Sequence, residues 1–412
     1  MTALDAGTGS PLRVLYIAHT MARGGSASSL RLLLSRFPQG AVEAHLLAPP
    51  GPARTGFEAM GVRVHTIPAL ATLDSIAGVP LKGRRLLVLL RALANMRHED
   101  EIRRVLHEVK PDLVHINERG MLHAAGVVRR AGYPVVMHAR SVLDRETRWF
   151  RWYSYRKYRS DVDRLIAIDQ SVRHSLRELD HCDVVYNPLR DNAQGGDGAV
   201  QRSEGGGRVR VTFLSGLMRY KGIWDLLEAA RLLRDRDDIV FQVAGANAHP
   251  DAFYRSPVGR VSGVLGLAAD ERTATARFIE RERLTDRVKL LGHVDPVSDL
   301  LARTDVLVFP SHLNGPGRSV FEAGAMGIPS VVSLRDRVED IVVDGVTGLV
   351  VEERSPASLA AAVARLADDA ALRRSLGQNA RARYLEQFDG DRIAGQVMGI
   401  YRDVLQARQR PA

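Results

Sequence analysis

Two cations stand close together in a short glycine-flanked segment near the middle of the chain. Arg219 and Lys221 lie in the run SGLMRYKG, which includes Gly216 and follows an apolar, strand-like stretch. Cations and backbone N–H groups at the end of a strand can stabilise the charge of a departing diphosphate. Lys221 is one of only five lysines among 58 basic residues, which favours a specific role. A solvated surface lysine is the alternative interpretation.

A second candidate lies between residues 309 and 329, where a strand-like run enters a glycine-rich loop and then a short helical pattern. Its polar and glycine positions are Asn314, Gly315, Gly317, Arg318, Ser319, Val320 and Glu322. Ser319 and Glu322 have the spacing of a capping box, which gives Glu322 a purely structural role. The functional interpretation places the Glu322 carboxylate in a cleft, where it accepts hydrogen bonds from the vicinal hydroxyls of a sugar. Spacing alone leaves both interpretations open.

The first half of the chain offers less specific candidates. Gly24 and Gly25 separate a strand from a helix, where backbone N–H groups can approach a phosphate, although a plain tight turn explains them equally well. His138 closes an apolar run, a place where a lone histidine is more often a satisfied core residue. Three D-x-D pairs occur in unrelated elements, at 161–163, 235–237 and 389–391, so we predict no metal site.

Composition excludes several classes of protein. With 45% hydrophobic and 26% charged residues, the chain is neither disordered nor collagen-like. The single cysteine excludes an intramolecular disulfide and a cysteine-based zinc site. No P-loop or GxGxxG motif is present, and no apolar run is long enough to span a membrane. The N-terminus lacks a signal-peptide pattern, so we expect a cytoplasmic protein whose net charge of +10 attracts anions.

Short apolar runs, among them those at 113–116, 135–138 and 306–309, alternate with amphipathic segments along the chain. Residues 246–270, which carry proline and glycine, are expected to be irregular. Runs that are apolar throughout are typical of parallel strands buried on both faces, so we predict an α/β fold with two doubly wound, Rossmann-like domains facing an interdomain cleft. A segment with six glycines divides the two series of strands. The predicted parts are an N-terminal domain at 1–188, a glycine-rich linker at 189–208, a second domain at 209–385 and a C-terminal helix at 386–412 that packs back on the first domain.

Residues 148–158, RWFRWYSYRKY, combine four basic with six aromatic side chains. This mixture suits a membrane–water interface and predicts peripheral docking at the inner face of an anionic membrane, near a lipid-linked acceptor. The same composition could stack single-stranded nucleic acid. The third interpretation is an ordinary helix, with its aromatic side chains inward and its arginines in solvent.

In their order along the chain, these stretches resemble the retaining glycosyltransferases of family 4, which have the GT-B fold. The resemblance covers residues 12–405 and is stronger in the second half. The matching motifs are Gly24-Gly25, His138, Asn187-Pro188, Gly216…Lys221-Gly222, Asp286-Arg287-Val288…Gly292-His293-Val294, Pro310-Ser311…Glu322-Ala323…Gly327-Ile328-Pro329 and Asp344-Gly345-Val346-Thr347-Gly348.

The resemblance implies a transfer of sugar from a UDP- or GDP-sugar to a hydroxyl of a saccharide or lipid-linked acceptor, in polysaccharide or glycoconjugate synthesis. Lys221 and Arg219 would neutralise the diphosphate, and Glu322 would hold the ribose. The backbone of 317–320 and the pair Gly24-Gly25 would surround the phosphate and sugar. His138 would contact the transferred sugar. No cofactor and no metal are expected, because the departing phosphate itself accepts the acceptor's proton.

Two departures from the family pattern keep alternatives open. Asn314 stands where the family has the first glutamate of its Glu-seven-Glu motif, so the identity of the donor and catalytic competence are both in question. The spacing from Gly216 to Lys221 is one residue shorter than usual, which makes Arg219 a substitute for the family's arginine. The alternatives are a catalytically inactive partner subunit that binds nucleotide and, more remotely, a nucleic-acid-binding protein. No nucleic-acid-binding motif supports the latter.

Overall fold

A computed structural model describes residues 10–22, 25–70, 72, 98–143, 148–189, 207–247, 249–264, 268–312, 317–333 and 342–409. The chain divides into two compact units. Unit 1 comprises Met1–Pro188 together with Phe388–Ala412, and unit 2 comprises Leu189–Gln387. The last helix of the chain therefore belongs to the same unit as the first strand.

Within the described residues, unit 1 contains a seven-stranded parallel sheet in the order β3-β2-β1-β4-β5-β6-β7. The strands are β1 Leu12–Ile17, β2 Val42–Ala48, β3 Arg63–Thr66, β4 Leu113–Ile116, β5 Val135–Ala139, β6 Arg164–Ala167 and β7 Cys182–Val184. Strands β4 and β5 are buried at every position, as helices on both faces of a parallel sheet require. The strand order reverses between β1 and β4, and ligands of doubly wound sheets bind at such a point.

Helices of unit 1 cover this sheet. They are α1 Gly25–Leu34, α2 Arg54–Glu58, α3 Glu99–Val109, α4 Leu122–Arg130, α5 Arg148–Asp161, α6 Gln170–Ser175 and, from the end of the chain, α15 Gly390–Gln409. Helix α3 has an acidic first turn and buries Ile102, Val105 and Leu106 on one face. Acidic residues near a helix N-terminus are favourable, and the apolar stripe supplies the core contact.

Unit 2 contains six parallel strands in its described part, in the order β10-β9-β8-β11-β12-β13. They are β8 Val209–Leu214, β9 Ile239–Ala244, β10 Val288–Gly292, β11 Val306–Phe309, β12 Ser330–Ser333 and β13 Gly348–Val351. The helices are α7 Ile223–Leu232, α8 Asp251–Arg255, α9 Pro257–Val264, α10 Glu271–Arg281, α11 Val297–Leu301, α12 Arg318–Ala325, α13 Pro356–Asp368 and α14 Ala370–Gln387. Here the order reverses between β8 and β11.

The predicted α/β class with two doubly wound sheets is confirmed. One local expectation was wrong: residues 246–270 read as irregular, yet they contain α8 and α9. The tail breaks at Phe388 and Asp389, between α14 and α15. Among the described residues, none of the helices is both long enough and apolar enough to cross a bilayer.

Candidate functional site

The strand-order reversal of unit 2 brings two loops together. Strands β8 and β11 are hydrogen-bonded neighbours, so the segments after them leave the same carboxyl edge of the sheet. At Gly222, which has φ +79°, a Cβ atom would overlap the carbonyl oxygen of Pro310. Only glycine tolerates both this backbone conformation and this approach. The loop carrying Lys221 is thus seated directly against the segment that follows β11.

Lys221 closes a short 3₁₀ turn, Arg219–Lys221, at this edge. Its ammonium lies 5.4 Å from the centroid of the Phe309 ring and 5.6 Å from that of Tyr220. No carboxylate in the described part of the chain pairs with it. Burial lowers the pKa of Lys221. A desolvated cation over two aromatic rings, with no counter-ion, is suited to receive an anionic ligand.

Arg219 makes a different set of contacts. Its Nε lies 2.9 Å from Glu271 Oε1, and its guanidinium stacks 5.5 Å from the Trp224 ring centroid. The Trp224 indole N–H donates to the other oxygen of Glu271 at 2.8 Å. The Arg219 side chain is 73% exposed, and Glu271 partly neutralises it. The two predicted cations therefore share a turn but contact different neighbours.

The helix α12 begins beside Lys221. Its N-cap is Gly317, where a Cβ atom would overlap the Phe309 ring. The same ring therefore touches both the helix start and the Lys221 ammonium. The capping-box interpretation of Ser319 and Glu322 was wrong, because the N-cap lies two residues earlier than Ser319. The backbone N–H groups at the start of a helix can receive a phosphate oxygen.

Glu322 lies on the second turn of α12 and is buried. It forms an ion pair with Arg318, with 2.9 Å between Arg318 Nε and Glu322 Oε1. Val320 is fully buried in the apolar core, so only its backbone can face a ligand. Gly216 lies in the loop after β8, where its carbonyl oxygen accepts a hydrogen bond from the Met218 N–H. Gly24, Asn314 and Gly315 lie outside the described residues.

Sequence reasoning missed a histidine at this edge. His312 Nε2 lies 2.6 Å from Asp225 Oδ2 in the first turn of α7, and the His312 N–H donates to the Tyr220 carbonyl oxygen at 2.8 Å. These bonds tie the segment after β11 to the turn that carries Lys221. The available signal was a histidine three residues after the end of β11, inside the segment 309–329 that was already a candidate site.

His138 of unit 1 is buried near the carboxyl end of β5, within a chain of polar side chains. His138 Nδ1 lies 2.7 Å from His115 Nε2, and His115 Nδ1 lies 2.5 Å from the Tyr401 hydroxyl. The Tyr401 hydroxyl is in turn 3.3 Å from that of Tyr16. Tyr401 comes from α15, so the last helix of the chain takes part in positioning His138.

Burial keeps this chain of groups uncharged. Desolvation, with a smaller effect of the Arg140 charge, lowers the pKa of His115 to about 3 and the pKa of His138 well below its usual range. Burial also raises the pKa of Tyr401. Each imidazole therefore carries one proton at neutral pH, and the direction of the His115–His138 bond decides whether His138 Nε2 donates or accepts.

Around His138, the carboxyl edge of the first sheet carries one more polar cluster. Arg140 donates to Asn117 Oδ1 at 2.8 Å and to Asn187 Oδ1 at 2.5 Å. Asn117 donates to the Ser26 carbonyl oxygen in the first turn of α1 at 3.2 Å. Gly25 begins that helix with φ +53° and no atom near its missing Cβ. These residues surround the reversal point between β1 and β4.

Metal ligands do not cluster in the part of the chain that the structure describes: no three His, Cys, Asp or Glu side chains come together there. Both aspartates of the D-x-D pair at 161–163 have structural partners. Asp161 pairs with Lys157, and Asp163 Oδ1 lies 2.8 Å from Arg129. Their charges are accordingly balanced by basic side chains of the same unit.

Two family models match the chain. "Glycosyltransferase Family 4" matches residues 23–192, and "Glycosyl transferases group 1" matches residues 201–383. An N-acetyl-alpha-D-glucosaminyl L-malate synthase of Bacillus anthracis is 31% identical over 36% of this chain and 39% of its own length. A D-inositol 3-phosphate glycosyltransferase of Streptomyces avermitilis is 29% identical over 60% of this chain and 53% of its own length. The chain thus spans only part of the length of these relatives.

Solved structures with the same fold cover nearly the whole chain. Anabaena Alr3699/HepE in complex with UDP has a TM-score of 0.74 at 18% identity, over 95% of this chain and all of that one. A sucrose-phosphate synthase of Thermosynechococcus elongatus has a TM-score of 0.72 at 16% identity, over 96% of this chain and all of its own. At such identities the likeness concerns the fold, which is that of the GT-B glycosyltransferases.

Proposed function

Because residues 23–192 belong to glycosyltransferase family 4 and residues 201–383 to the glycosyl transferases group 1, we propose that this protein transfers a sugar from a nucleoside-diphosphate sugar to a hydroxyl group, with retention at the anomeric carbon. The observation that carries the proposal is the ammonium of Lys221, which packs on Phe309 at the strand-order reversal of unit 2 and has no carboxylate partner among the described residues. That position is where a doubly wound sheet binds its ligand.

Lys221 and the start of α12 bind the diphosphate in this proposal. The ammonium gains a counter-ion, and backbone N–H groups following Gly317 donate to phosphate oxygens. Glu322 accepts hydrogen bonds from the ribose hydroxyls. A carboxylate has about four acceptor sites, so the ion pair with Arg318 at Oε1 is compatible with ribose at Oε2. Arg219, held by Glu271, contributes charge at the rim of the same loop.

The reaction breaks the bond between the anomeric carbon and the β-phosphate oxygen, whose electron pair leaves with the phosphate. The acceptor oxygen attacks the same face of the sugar, and its proton passes to the departing phosphate oxygen. The protein's part is to position the two substrates and to stabilise the charge that develops on the phosphate. His138 provides a neutral nitrogen for a hydroxyl of the transferred sugar.

The neighbours' ligands favour UDP as the nucleotide to test first. The Anabaena protein was crystallised with UDP and with UDP-glucose. The acceptor class in this proposal is a saccharide or a lipid-linked saccharide. Relatives named for capsular polysaccharide synthesis in Staphylococcus aureus and for inositol-phosphate glycosylation both fit a hydroxyl acceptor.

Calorimetric titration with UDP, GDP, ADP and TDP tests the proposal, with Lys221→Ala as the variant and Lys289→Ala as its control. Lys289 lies in the same unit, and its ammonium donates to the Thr285 carbonyl oxygen. We expect one nucleotide to bind wild type and Lys289→Ala equally and Lys221→Ala at least tenfold more weakly. Equal affinity for all three proteins would overturn the proposed site. Nucleotide binding without sugar transfer to any acceptor would instead favour an inactive partner subunit.

A further inference from the structure

A surface cavity of about 730 Å³ lies along α5 of unit 1, in the size range of ligand pockets. Its lining combines aromatic side chains with a high density of positive charge. Five arginines line it: Arg148, Arg151, Arg156, Arg159 and Arg177. Glu178 is the one carboxylate of the lining, so the cavity carries a clear excess of positive charge.

Most of this charge has no carboxylate partner in the part of the chain that the structure describes. Arg151 lies 3.2 Å from Glu178 Oε1, and Arg159 donates only to the Glu178 carbonyl oxygen, at 3.1 Å. Arg148, Arg156 and Arg177 form no ion pair within the ranges that the structure describes. Among the described residues, four guanidinium groups around this cavity, those of Arg148, Arg156, Arg159 and Arg177, therefore lack an anionic partner.

Several arginines elsewhere on the same unit have carboxylate partners. Arg129 lies 2.8 Å from Asp163, and Arg164 lies 2.7 Å from Asp183. The excess at the α5 cavity is thus a local feature and not a consequence of the chain's basic composition alone. Like charges held close together repel one another, and a bound anion relieves that repulsion.

Aromatic rings hold the guanidinium groups in place. Arg156 stacks 5.8 Å from the Trp152 ring centroid, and Arg151 and Arg159 lie 5.6 and 5.8 Å from that of Tyr155. Stacking uses the face of a guanidinium group and leaves its in-plane N–H donors for an acceptor. Those donors match the oxygen atoms of a phosphate group.

Trp152 distinguishes the kind of ligand. Trp152 is 57% exposed. The next most exposed large hydrophobic residue in the described part of unit 1 is Met60, at 38%. An amphipathic indole ring next to arginines is favourable at the boundary between lipid headgroups and acyl chains. A small soluble phosphate compound would leave the indole ring in water.

We propose that the α5 cavity binds the phosphate groups of an anionic phospholipid bilayer, so that this face of unit 1 docks on a membrane. Helix α5 follows β5, and a helix after a parallel strand starts at that strand's carboxyl edge. Arg148 therefore begins the docking surface on the edge to which His138 belongs. The inference deepens the proposed function, because a membrane-docked enzyme would act on a lipid-linked acceptor. Only that consequence rests on the proposed function, since membrane binding itself requires no turnover.

Sedimentation of the full chain with vesicles tests this without any sugar donor. Wild type is expected to bind vesicles of phosphatidylcholine mixed with an equal amount of phosphatidylglycerol and not phosphatidylcholine alone, with binding that weakens as salt is added. Each arginine near an anionic surface strengthens partitioning about fivefold, so Arg148→Ala/Arg156→Ala should weaken it about 25-fold. Both side chains are exposed, so the fold should tolerate the change.

The matched control is Arg63→Ala/Arg104→Ala. It removes the same charge from exposed positions of unit 1 that are already paired with glutamates. We expect it to bind as wild type does, and we expect Trp152→Ala to weaken binding while the thermal midpoint stays unchanged. Equal loss in the control pair, or no binding by wild type, overturns the proposal. Inorganic pyrophosphate or a single-stranded oligonucleotide that binds at this cavity when vesicles do not would also overturn it.

Discussion

The Lys221 ammonium lies 5.4 Å from the centroid of the Phe309 ring. Phe309 ends β11, and Lys221 lies in the turn that follows the neighbouring strand β8, so the pairing of these two strands brings the cation and the ring to the same edge of the sheet. Since no described carboxylate pairs with this cation, it is preorganised for an anion. The loss of stability that it causes in the nucleotide-free protein can be measured.

Nucleotide affinity should depend on pH through Lys221. Burial lowers the pKa of this ammonium, and a bound diphosphate favours its charged form. We therefore expect affinity to fall as the pH is raised from neutral towards 10.5, the ordinary lysine value. Calorimetry at a series of pH values measures this. Lys221→Arg keeps its charge, so its affinity should stay level over that range, and an equal fall in both proteins would assign the effect to another group.

The free energy of unfolding of the nucleotide-free protein should also depend on pH through Lys221. The folded-state pKa of Lys221 lies below its unfolded value, so the unfolded chain binds more protons between the two values and stability rises with pH in that window. We expect Lys221→Met to be more stable than wild type at neutral pH, with a difference that shrinks towards pH 10.5. Urea unfolding measures both proteins. A difference that does not change with pH would contradict the assignment.

Acid should destabilise unit 1 through its buried histidines. The pKa of His115 is about 3 in the folded protein against 6.5 for a free side chain, so below pH 6.5 the unfolded chain takes up a proton that the folded protein refuses. The free energy of unfolding should fall by about 1.4 kcal/mol per pH unit for each such histidine. His115→Asn should show a shallower slope between pH 6.5 and 5. The exposed His174→Asn should keep the wild-type slope.

Tyr401→Phe should affect both stability and catalysis. It leaves His115 Nδ1 without its hydroxyl partner in the core, at a cost of about 1–3 kcal/mol in urea unfolding. The Tyr401 hydroxyl then no longer fixes the proton on His115, the hydrogen-bond partner of His138. We therefore expect a larger fall in kcat than change in KM. Tyr133→Phe is the control, because the Tyr133 hydroxyl makes a longer bond of 3.3 Å near the surface. Identical kinetics for both variants would remove Tyr401 from any positioning role.

Gly222→Ala should separate steric crowding from backbone strain. Gly222 and Gly292 both have positive φ, 79° and 71°, but only at Gly222 does a Cβ meet another atom, the Pro310 carbonyl oxygen. The backbone conformation alone costs roughly 1–2 kcal/mol, as expected for Gly292→Ala. Overpacking adds about 1–3 kcal/mol at Gly222. Chemical denaturation should rank the variants in that order, and nucleotide binding should be lost only in Gly222→Ala.

Much of the fold could be predicted from the sequence, because parallel strands buried on both faces have short, continuously apolar sequences. Each of the runs identified at residues 113–116, 135–138 and 306–309 is a strand in the structure. Residues 246–270 were misjudged because proline and glycine there suggested a loop. Pro257 instead begins a helix, where its missing N–H costs nothing.

The site was harder to predict, since its contacts depend on pairs of residues far apart in the chain. No local pattern indicates that Phe309 would touch both Lys221 and the start of α12, or that His312 would bond to Asp225. The capping-box spacing of Ser319 and Glu322 pointed to a helix start that is in fact set by Gly317. The roles of Lys221, Glu322 and His138 in catalysis stay predictions.

The membership of α15 in unit 1 has a consequence for how the protein is made. The ribosome delivers residues 12–188 before unit 2, but the helix that contributes Ile393, Val397 and Tyr401 to their core is synthesised only after unit 2. Unit 2, which is continuous in sequence, can fold completely during translation. The first unit therefore exposes the apolar surface that α15 covers until the whole of unit 2 has been synthesised. This exposed surface makes unit 1 the part of the chain most in need of chaperone protection.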